Sequence, residues 1–266
     1  MTTELIIILI FCYVDDRMPD MAKHPQAKLY PSELVTIGIL FALKGGHFRA
    51  FYRWLKRDWD ALFGGVPDRT RLQRARPVYP RAAVHQDWCD RLLADPSFFT
   101  VGDSYPIELL FPIREGRTAR QVGRKGKDKG RWIIGLRLWW LLNDAGQVVE
   151  WYWLPLDRPD KDFNPLAASF DGVTIVLTDL GFRDKNGAPK NLKLCPKGTW
   201  NERMIVETAF SMVTVVCQAK KLFHRLADYL GSHCAYLAAM FNVVNTLFHQ
   251  LFPNDKRRLS IAEFSL

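Results

Sequence analysis

The strongest structural signal in this sequence is residues 131–156, which read RWIIGLRLWWLLNDAGQVVEWYWLPL. Two apolar runs rich in aromatic and branched side chains flank residues 143–146, NDAG, a combination that is typical of a hairpin turn. The pattern predicts two antiparallel strands, 131–142 and 148–156, joined by a tight connection. We therefore expect a sheet at the centre of this part of the chain.

Three further segments extend this hairpin into a larger sheet. The first is at residues 97–110, where a buried strand is followed by a turn at Pro106. A fully buried strand is predicted at 172–177, and a short strand at 191–195. The first three strands are joined by short connections, which favours antiparallel neighbours. The fourth follows a helix candidate at 160–170, as a parallel strand would. The expected fold is α/β, with helices on the faces of the sheet.

The N-terminal part of the chain is predicted to be helical. Residues 5–14 are strongly apolar but too short to cross a membrane, and they lack the features of a signal peptide, so we interpret them as a buried helix. Ser32 is expected to cap a helix over 33–44, and 47–63 show helical spacing of apolar and aromatic positions. A short arginine-rich helix is expected after Asp68. The basic residues of this region are either a solvated face of a helical bundle or a DNA-contacting module.

The C-terminal part predicts two long helices, at 200–223 and 226–252, and then a short basic stretch. The expected organisation is a helical, DNA-binding N-terminal region at 1–95, a catalytic α/β domain at 96–252 and a basic C-terminal tail at 253–266.

The composition favours a nucleic-acid partner and excludes several protein classes. The formal net charge is +9, and an excess of this size indicates a polyanionic partner, since cations set against phosphates release counterions. Aromatic residues make up 13% of the chain and charged residues 24%, a composition that argues against disorder as the main state. The five cysteines are widely spaced without a Cys-x-x-Cys pair, so neither a zinc site nor a disulfide framework is expected, and a reducing cytoplasm is indicated.

Three carboxylates stand in unusually apolar surroundings. Asp103 is the only charge in 97–107, Asp179 closes an apolar strand, and Glu207 is the only charge in 204–217. A buried carboxylate without a partner is costly. Each acid alone could cap a loop or pair with an arginine. As a set, they can converge on one edge of the sheet and bind Mg²⁺ or Mn²⁺, the arrangement that two-metal catalysis uses.

The helix that carries Glu207 contains a second signal. Arg203 lies four residues before Glu207 and shares its helix face. A cation beside a metal-binding carboxylate can take a substrate phosphate. The alternative interpretation is a simple Arg–Glu helix pair.

With these residues in view, the sequence resembles the bacterial insertion-sequence transposases of the DDE class. The resemblance is carried by 102–106 (GDSYP), 178–182 (TDLGF) and 198–208 (GTWNERMIVET), and by 127–143 (KDKGRWIIGLRLWWLLN). It extends more weakly into the N-terminal helices. It implies an RNase H-like fold, a five-stranded mixed sheet flanked by helices, with Asp103, Asp179 and Glu207 as the catalytic, metal-binding triad.

Many members of that family carry a helix signature of Tyr, two residues, Arg, three residues, Glu, six residues and Lys. Trp200, Arg203 and Glu207 fill the first three places here, and Thr214 stands at the place of the Lys. The resemblance therefore implies DNA contacts for Trp200 and Arg203. The departure at Thr214 leaves the contact of the terminal lysine unassigned, and Lys220 and Lys221 do not take its position.

A basic, glycine-containing segment is expected to connect the first two strands. Such a connection has no core role and can follow a phosphate backbone, although a solubilising surface loop is the alternative. The residues that we assign to this DNA contact are Arg117, Arg120, Arg124, Lys125, Lys127 and Lys129.

The expected function is DNA transposition, with cleavage and joining of phosphodiester bonds at the ends of an insertion sequence. The expected cofactor is Mg²⁺ or Mn²⁺, and the expected partners are double-stranded DNA and further copies of the chain on that DNA, without a membrane. The expected location is the bacterial cytoplasm, at the nucleoid when DNA is bound. Two alternatives stay open: an RNase H-like structure-specific nuclease, and a transposase-derived DNA-binding protein without catalytic activity.

Overall fold

The computed structural model describes residues 1–19, 22–75, 87–117, 121–196, 198, 201–222, 226–256 and 259–266. The chain forms two compact units. The first comprises Met1–Leu93, Val213–Ala219 and Leu226–Leu266, and the second comprises Ala94–Met212 and Lys220–Arg225. The sequence-based division had grouped the last long helix with the catalytic domain, whereas this helix falls in the unit that contains the N-terminal helices.

Helices and strands are numbered in chain order. The α-helices are α1 (Thr3–Asp15), α2 (Pro31–Lys44), α3 (Phe48–Asp58), α4 (Arg69–Ala75), α5 (Asn164–Ala168), α6 (Met204–Val215) and α7 (Ala227–Leu251). The strands are β1 (Phe99–Leu110), β2 (Arg124–Asp128), β3 (Arg131–Leu142), β4 (Val148–Pro155), β5 (Ile175–Thr178) and β6 (Leu192–Leu194). Short 3₁₀ helices cover Asp60–Phe63, Pro112–Arg114, Asp160–Phe163, Leu180–Phe182, Asn201–Arg203 and Ile261–Phe264.

Helices α1, α2 and α7 pack together as the core of the first unit. The predicted N-terminal helix is confirmed, and it buries Ile6, Ile10 and Val14 among its core residues. Helices α2 and α7 approach closely at Gly38, because a Cβ atom at this position would overlap the ring of Tyr236. Close approach of this kind depends on a residue without a side chain.

The start of α2 differs from the prediction. Ser32 is buried inside the first turn, and Tyr30 takes the N-cap position, followed by Pro31. The Tyr30 N–H donates to the Glu33 carboxylate over 2.6 Å. Proline fits the first turn of a helix because its missing N–H would have no partner there, and it moves the helix start ahead of Ser32. The predicted end is confirmed, since Gly45 closes α2 at φ 66° and donates its N–H to the Phe41 carbonyl.

Three predicted helices are shorter than expected. Helix α3 ends at Asp58, and a 3₁₀ turn begins at Asp60. The Asp60 carboxylate accepts a hydrogen bond from the Val66 N–H over 2.6 Å. The candidate at 160–170 is a 3₁₀ turn followed by the short α5. The candidate at 200–223 ends as α6 at Val215, since residues beyond it form backbone bonds with Glu108 of β1. Apolar composition had suggested a continuous helix where the chain changes direction.

No single helix in the described part of the chain is long and apolar enough to cross a membrane. Helices α2 and α3 together reach the length and composition of a span, with a bend of 119° between them.

The second unit contains a six-stranded mixed sheet with the order β2-β3-β1-β5-β6, and β4 also pairs with β3. β3 runs antiparallel to β1, β2 and β4, whereas β5 runs parallel to β1 and β6. β2 pairs with residues 131–135 of β3 and β4 with residues 136–142, so these two strands share one edge of β3 end to end. The predicted α/β class and the predicted mixture of strand directions are confirmed. The sheet has six strands where five were expected.

The additional strand is β2, which the sequence analysis had interpreted as part of a basic loop. Its sequence, RKGKD, contains no apolar residue, so no hydrophobic pattern marked it as a strand. Backbone pairing with β3 holds it, and Gly126 lets it pass close to Leu156, because a Cβ atom at 126 would clash with that side chain. An edge strand with lysine side chains is a common way for proteins to discourage edge-to-edge association.

The predicted turn at Pro106 is wrong. β1 continues through Pro106, which lies opposite Arg137 of β3. The parallel pairing of β1 with β5 extends only from Phe99 to Val101, so no β5 partner requires an N–H at Pro106. Proline is tolerated in a strand at such a place because it lacks only the donor.

The two faces of the sheet carry different layers. On one face Trp139 stacks on Phe163 at 5.8 Å, within a core that also includes Ala167 and Phe182. On the other face Trp140 stacks on Phe210 of α6 at 5.1 Å. The alternation of side chains along β3 therefore places α5 and α6 on opposite faces.

The predicted basic tail ends in ordered structure. Within the 3₁₀ helix at Ile261–Phe264, the side chains of Ile261 and Phe264 are buried. The carbonyl of Leu266 accepts a hydrogen bond from the Lys44 ammonium over 2.8 Å. Two basic residues of the tail, Arg257 and Arg258, lie outside the described residues.

Candidate metal centre

Two of the predicted acids lie at matching positions on neighbouring strands. β1 and β5 are parallel, and Val101 lies opposite Leu177. Asp103 and Asp179 each follow these partners by two residues, so the register brings both to the same level of the sheet. β5 ends at Thr178, which frees Asp179 to cap the next 3₁₀ turn, where its carboxylate accepts the Gly181 N–H over 2.8 Å.

Helix α6 brings the third acid to the same place. Phe210 stacks on Trp140 at 5.1 Å and on Tyr105 at 5.4 Å, which fixes α6 on one sheet face. Asp103 lies opposite Trp140 in the strand pairing, so its side chain belongs to that face. Glu207 lies three residues before Phe210 on α6, near the start of the helix.

Arg203 joins the three acids. Its Nη2 atom lies 3.4 Å from Glu207 Oε1, 3.6 Å from Asp103 Oδ2 and 4.0 Å from Asp179 Oδ2. The Arg203 side chain is 15% exposed, and its Nε is buried without a hydrogen-bond partner within the described residues. One cation thus compensates three carboxylates that would otherwise repel each other. The simple Arg–Glu pair, which was the alternative interpretation, is only part of this arrangement.

The exposure of the three carboxylates differs. The side chain of Asp103 is 18% exposed, that of Asp179 39% and that of Glu207 58%. Burial raises the pKa of Asp103 to about 7, opposed by the Ser104 N–H, which donates to its carboxylate over 2.7 Å. The negative charges of Asp179 and Asp160 raise the pKa further, and Arg203 lowers it. Asp103 therefore ionises near neutral pH, which a site that recruits a cation can exploit.

A fourth carboxylate, Asp160, was missed by the sequence analysis. Its Oδ1 accepts a hydrogen bond from the Ser104 hydroxyl and lies 3.2 Å from Arg137 Nη1. Gly181 packs against it, since a Cβ atom there would lie 3.2 Å from Asp160 Oδ2 and 2.9 Å from Asp179 Oδ1. Asp160 stands in a run of charged residues, DRPDKD, so its sequence context did not distinguish it. Only the folded chain brings it beside Asp103.

The donor chemistry of this centre suits a hard divalent cation, since carboxylate oxygens are the ligands that Mg²⁺ and Mn²⁺ prefer. In the described residues, however, no group of three His, Cys, Asp or Glu side chains is arranged to hold an ion as it stands. The Arg203 guanidinium lies between the acids. An ion could be shared by Asp103, Asp179 and Glu207 only after this guanidinium moves aside.

The predicted DNA-contacting residues are distributed differently from the expectation. Arg124, Lys125 and Lys127 are exposed on the edge strand β2, and not in a loop. Lys129 lies in the turn between β2 and β3 at φ 47°, and Arg117 is exposed after the 3₁₀ helix Pro112–Arg114. Two further predicted contacts, Trp200 and Arg120, lie outside the described residues.

Thr214, at the place of the terminal lysine in the helix signature, and the nearby Lys221 both have structural roles. Thr214 is a buried residue of α6. Lys221 lies 2.6 Å from the buried Glu108 carboxylate, and its ammonium group lies over the ring of Phe111. Lys221 is thus engaged with β1.

A scan of the chain against protein-family models finds no match, and a search of curated proteins finds no matching sequence.

Proposed function

We propose that this chain is a DNA transposase with an RNase H-like catalytic domain, in which Asp103, Asp179 and Glu207 hold Mg²⁺ or Mn²⁺. The convergence of these three acids on the single Arg203 guanidinium is the observation that carries the proposal. Asp103 and Glu207 lie 104 residues apart in the sequence, yet both are brought with Asp179 to one cation, which would not be expected of unrelated surface acids.

The topology supports the same proposal. Apart from the hairpin strand β2, the sheet contains three antiparallel strands followed by two parallel ones. This agrees with the five-stranded mixed sheet that the resemblance implies. The acids come from the first strand, the end of the first parallel strand and a later helix, as the proposed fold requires.

The residues of the chain have distinct tasks in the proposed reaction. Asp103, whose pKa burial raises to about 7, would hold a divalent ion in its ionised form, together with Asp179 and Glu207. Asp160 accepts a hydrogen bond from the Ser104 hydroxyl of β1 and pairs with Arg137 of β3, which anchors the segment after β4 to these two strands. Arg203, once released from the acids, is placed to bind a DNA phosphate. The bound ions would supply activation of a water or a 3′-OH and stabilisation of the leaving oxygen.

DNA ends and target DNA are the proposed partners, with further copies of the chain assembled on them. The formal net charge of +9 supports a polyanionic partner. The proposed location is the bacterial cytoplasm, at the nucleoid when DNA is bound.

A DNA-binding protein without catalytic activity is the second candidate function. The observation that favours it is Arg203, which lies between the acids where an ion would have to bind. In that case Arg203 would be a permanent structural cation, and divalent ions would not change the behaviour of the protein on DNA.

A cleavage assay on DNA that flanks the source gene, with and without Mg²⁺, tests the proposal. Asp103→Asn, Asp179→Asn and Glu207→Gln should each abolish cleavage and leave DNA binding nearly intact, because the lost charge weakens ion binding directly. The control Asp171→Asn changes an exposed acid of the same unit and should cleave normally. Cleavage at the wild-type rate by any of the three variants would overturn the triad.

The products distinguish the proposed transposase from a nuclease of the same fold. A transposase joins the released 3′-OH to target DNA, whereas a nuclease leaves free ends. If wild-type protein binds DNA but neither cuts nor joins it in Mg²⁺ or Mn²⁺, the second candidate function is correct.

A further inference from the structure

The β2–β3 hairpin presents an exposed aromatic ring that the proposed catalytic centre does not use. Trp132 is the second residue of β3 and lies opposite Lys127 of β2. It is 51% exposed, and the ammonium groups of Lys125 and Lys127 lie 5.4 and 5.1 Å from the centroid of its ring. One exposed aromatic residue needs no explanation by itself. The two cations placed beside the ring distinguish Trp132.

The charge of the hairpin is strongly positive. Residues 124–131, RKGKDKGR, carry five cations and one acid. Arg131 pairs with the Glu108 carboxylate at 2.9 Å, which also pairs with Lys221. Within the described residues, neither Lys125 nor Lys127 has an acidic partner in ion-pair distance. Their charges are therefore available to a ligand, and charge complementarity selects an anionic one.

Trp132 lies on the sheet face to which Asp103 also belongs. Side chains alternate along a strand, so Trp132 shares its face with Trp140, which lies opposite Asp103. Trp132 and Trp140 are eight positions apart along β3, a distance of about 27 Å at the usual rise per residue. The hairpin is thus remote from the acids but on the same side of the sheet, where a DNA strand that leaves the catalytic centre could reach it.

We propose that the β2–β3 hairpin binds an unpaired nucleotide of the DNA, with its base stacked on Trp132 and its phosphates beside Lys125 and Lys127. An exposed ring next to lysines is the combination with which proteins bind single-stranded nucleic acid. A base within a duplex is already stacked on both sides, so only an unpaired base can use the ring. Every base has a flat face, so the contact tolerates any sequence. The inference rests on the proposed function in one respect, that DNA is the ligand.

The test is DNA binding in EDTA, where no cleavage occurs, with a labelled oligothymidylate and a duplex of the same length. Trp132→Ala should weaken binding of the single strand about tenfold or more and change duplex binding little. Trp132→Phe keeps a ring and should retain most of the affinity. Trp132→Leu keeps apolar bulk without a ring and should behave like Ala, which keeps the test valid if the Ala variant fails to fold.

Tyr152→Ala provides the matched control, since Tyr152 is another exposed aromatic residue of the same sheet, on β4. It should leave single-strand binding unchanged. Equal losses on single strand and duplex, unchanged binding by Trp132→Leu, or no single-strand binding by the wild type would each overturn the inference. Because the measurement needs no metal, it can fail while the cleavage assay succeeds, and it can succeed while cleavage is absent.

Discussion

Asp103 shows how a single carboxylate can report on its surroundings. Its carboxylate is buried, accepts a backbone hydrogen bond, and lies near two other acids and one arginine, all of which act on its pKa. Burial outweighs the favourable contacts, so the pKa of Asp103 lies at about 7, compared with 3.8 for an unperturbed aspartate. Arg203 partly offsets the cost of ionising Asp103 in the absence of a divalent ion.

The raised pKa predicts a pH dependence of stability. Between about pH 4 and pH 7 the folded protein keeps the Asp103 proton and the unfolded chain loses it, so stability falls as pH rises through this window. The slope is at most about 1.4 kcal/mol per pH unit. Asp103→Asn cannot titrate, so its stability relative to the wild type should increase across the window and level off above it.

Urea unfolding in metal-free buffer at several pH values measures this difference. Asp171→Asn changes an exposed aspartate and should run parallel to the wild type at every pH. Parallel curves for Asp103→Asn and the wild type would show that Asp103 is ionised in the folded protein throughout.

At the scale of elements, α2 and α7 show that a glycine in a helix can have opposite consequences in different places. Glycine in a helix interior costs about 1 kcal/mol relative to alanine. Gly231 of α7 has nothing within 4 Å of its potential Cβ atom, whereas the same atom at Gly38 of α2 would overlap Tyr236.

Gly38→Ala and Gly231→Ala are therefore expected to change stability in opposite directions. Gly38→Ala should lower the free energy of unfolding by about 1–3 kcal/mol, because α2 and α7 must move apart. Gly231→Ala should raise it by up to about 1 kcal/mol through helix propensity alone. Chemical denaturation of both variants measures the changes. A Gly38→Ala variant as stable as the wild type would mean that Tyr236 can turn away at little cost.

At the scale of the whole molecule, the formal net charge of +9 favours long-range attraction to a polyanion, which is DNA in the proposed function. Part of the excess is concentrated in β2, where Arg124, Lys125 and Lys127 are exposed. A strand holds these side chains at fixed spacing, in contrast to the loop that the sequence had suggested. Phosphate contacts from such a strand would be independent of base sequence.

Replacement of Arg124, Lys125 and Lys127 by Gln should weaken DNA binding equally for all sequences. The slope of log affinity against log salt should flatten by about one unit for each lost phosphate contact. Duplex binding titrations at several salt concentrations measure this slope.

The matched control replaces Arg183, Lys185 and Lys190 by Gln. These residues are exposed in the same unit, so the net charge falls by the same three units. If both triple variants flatten the slope equally, the effect is due to the net charge, and the basic residues of β2 make no specific contacts with DNA phosphates.

The sequence alone determined the elements whose signal is local. The hairpin of β3 and β4 follows from two apolar runs around NDAG, and α7 and the end of α2 follow from apolar spacing and from Gly45. The isolation of Asp103, Asp179 and Glu207 among apolar neighbours was also visible in the sequence. Each of these signals lies within a few residues, because it reflects local backbone preference or the cost of burying a charge.

Only the tertiary structure decided the features that depend on partners distant in sequence. β2 is a strand because β3 supplies its hydrogen bonds, and β1 passes through Pro106 because no β5 partner needs an N–H there. Asp160 enters the site through Ser104, 56 residues earlier in the chain. Arg203 reaches Asp103 and Asp179 as well as its helix neighbour Glu207 because parallel register and the packing of α6 bring them together. Backbone pairing and ion pairing between distant segments leave no pattern in a single stretch of sequence, so these contacts appear only when the chain is folded.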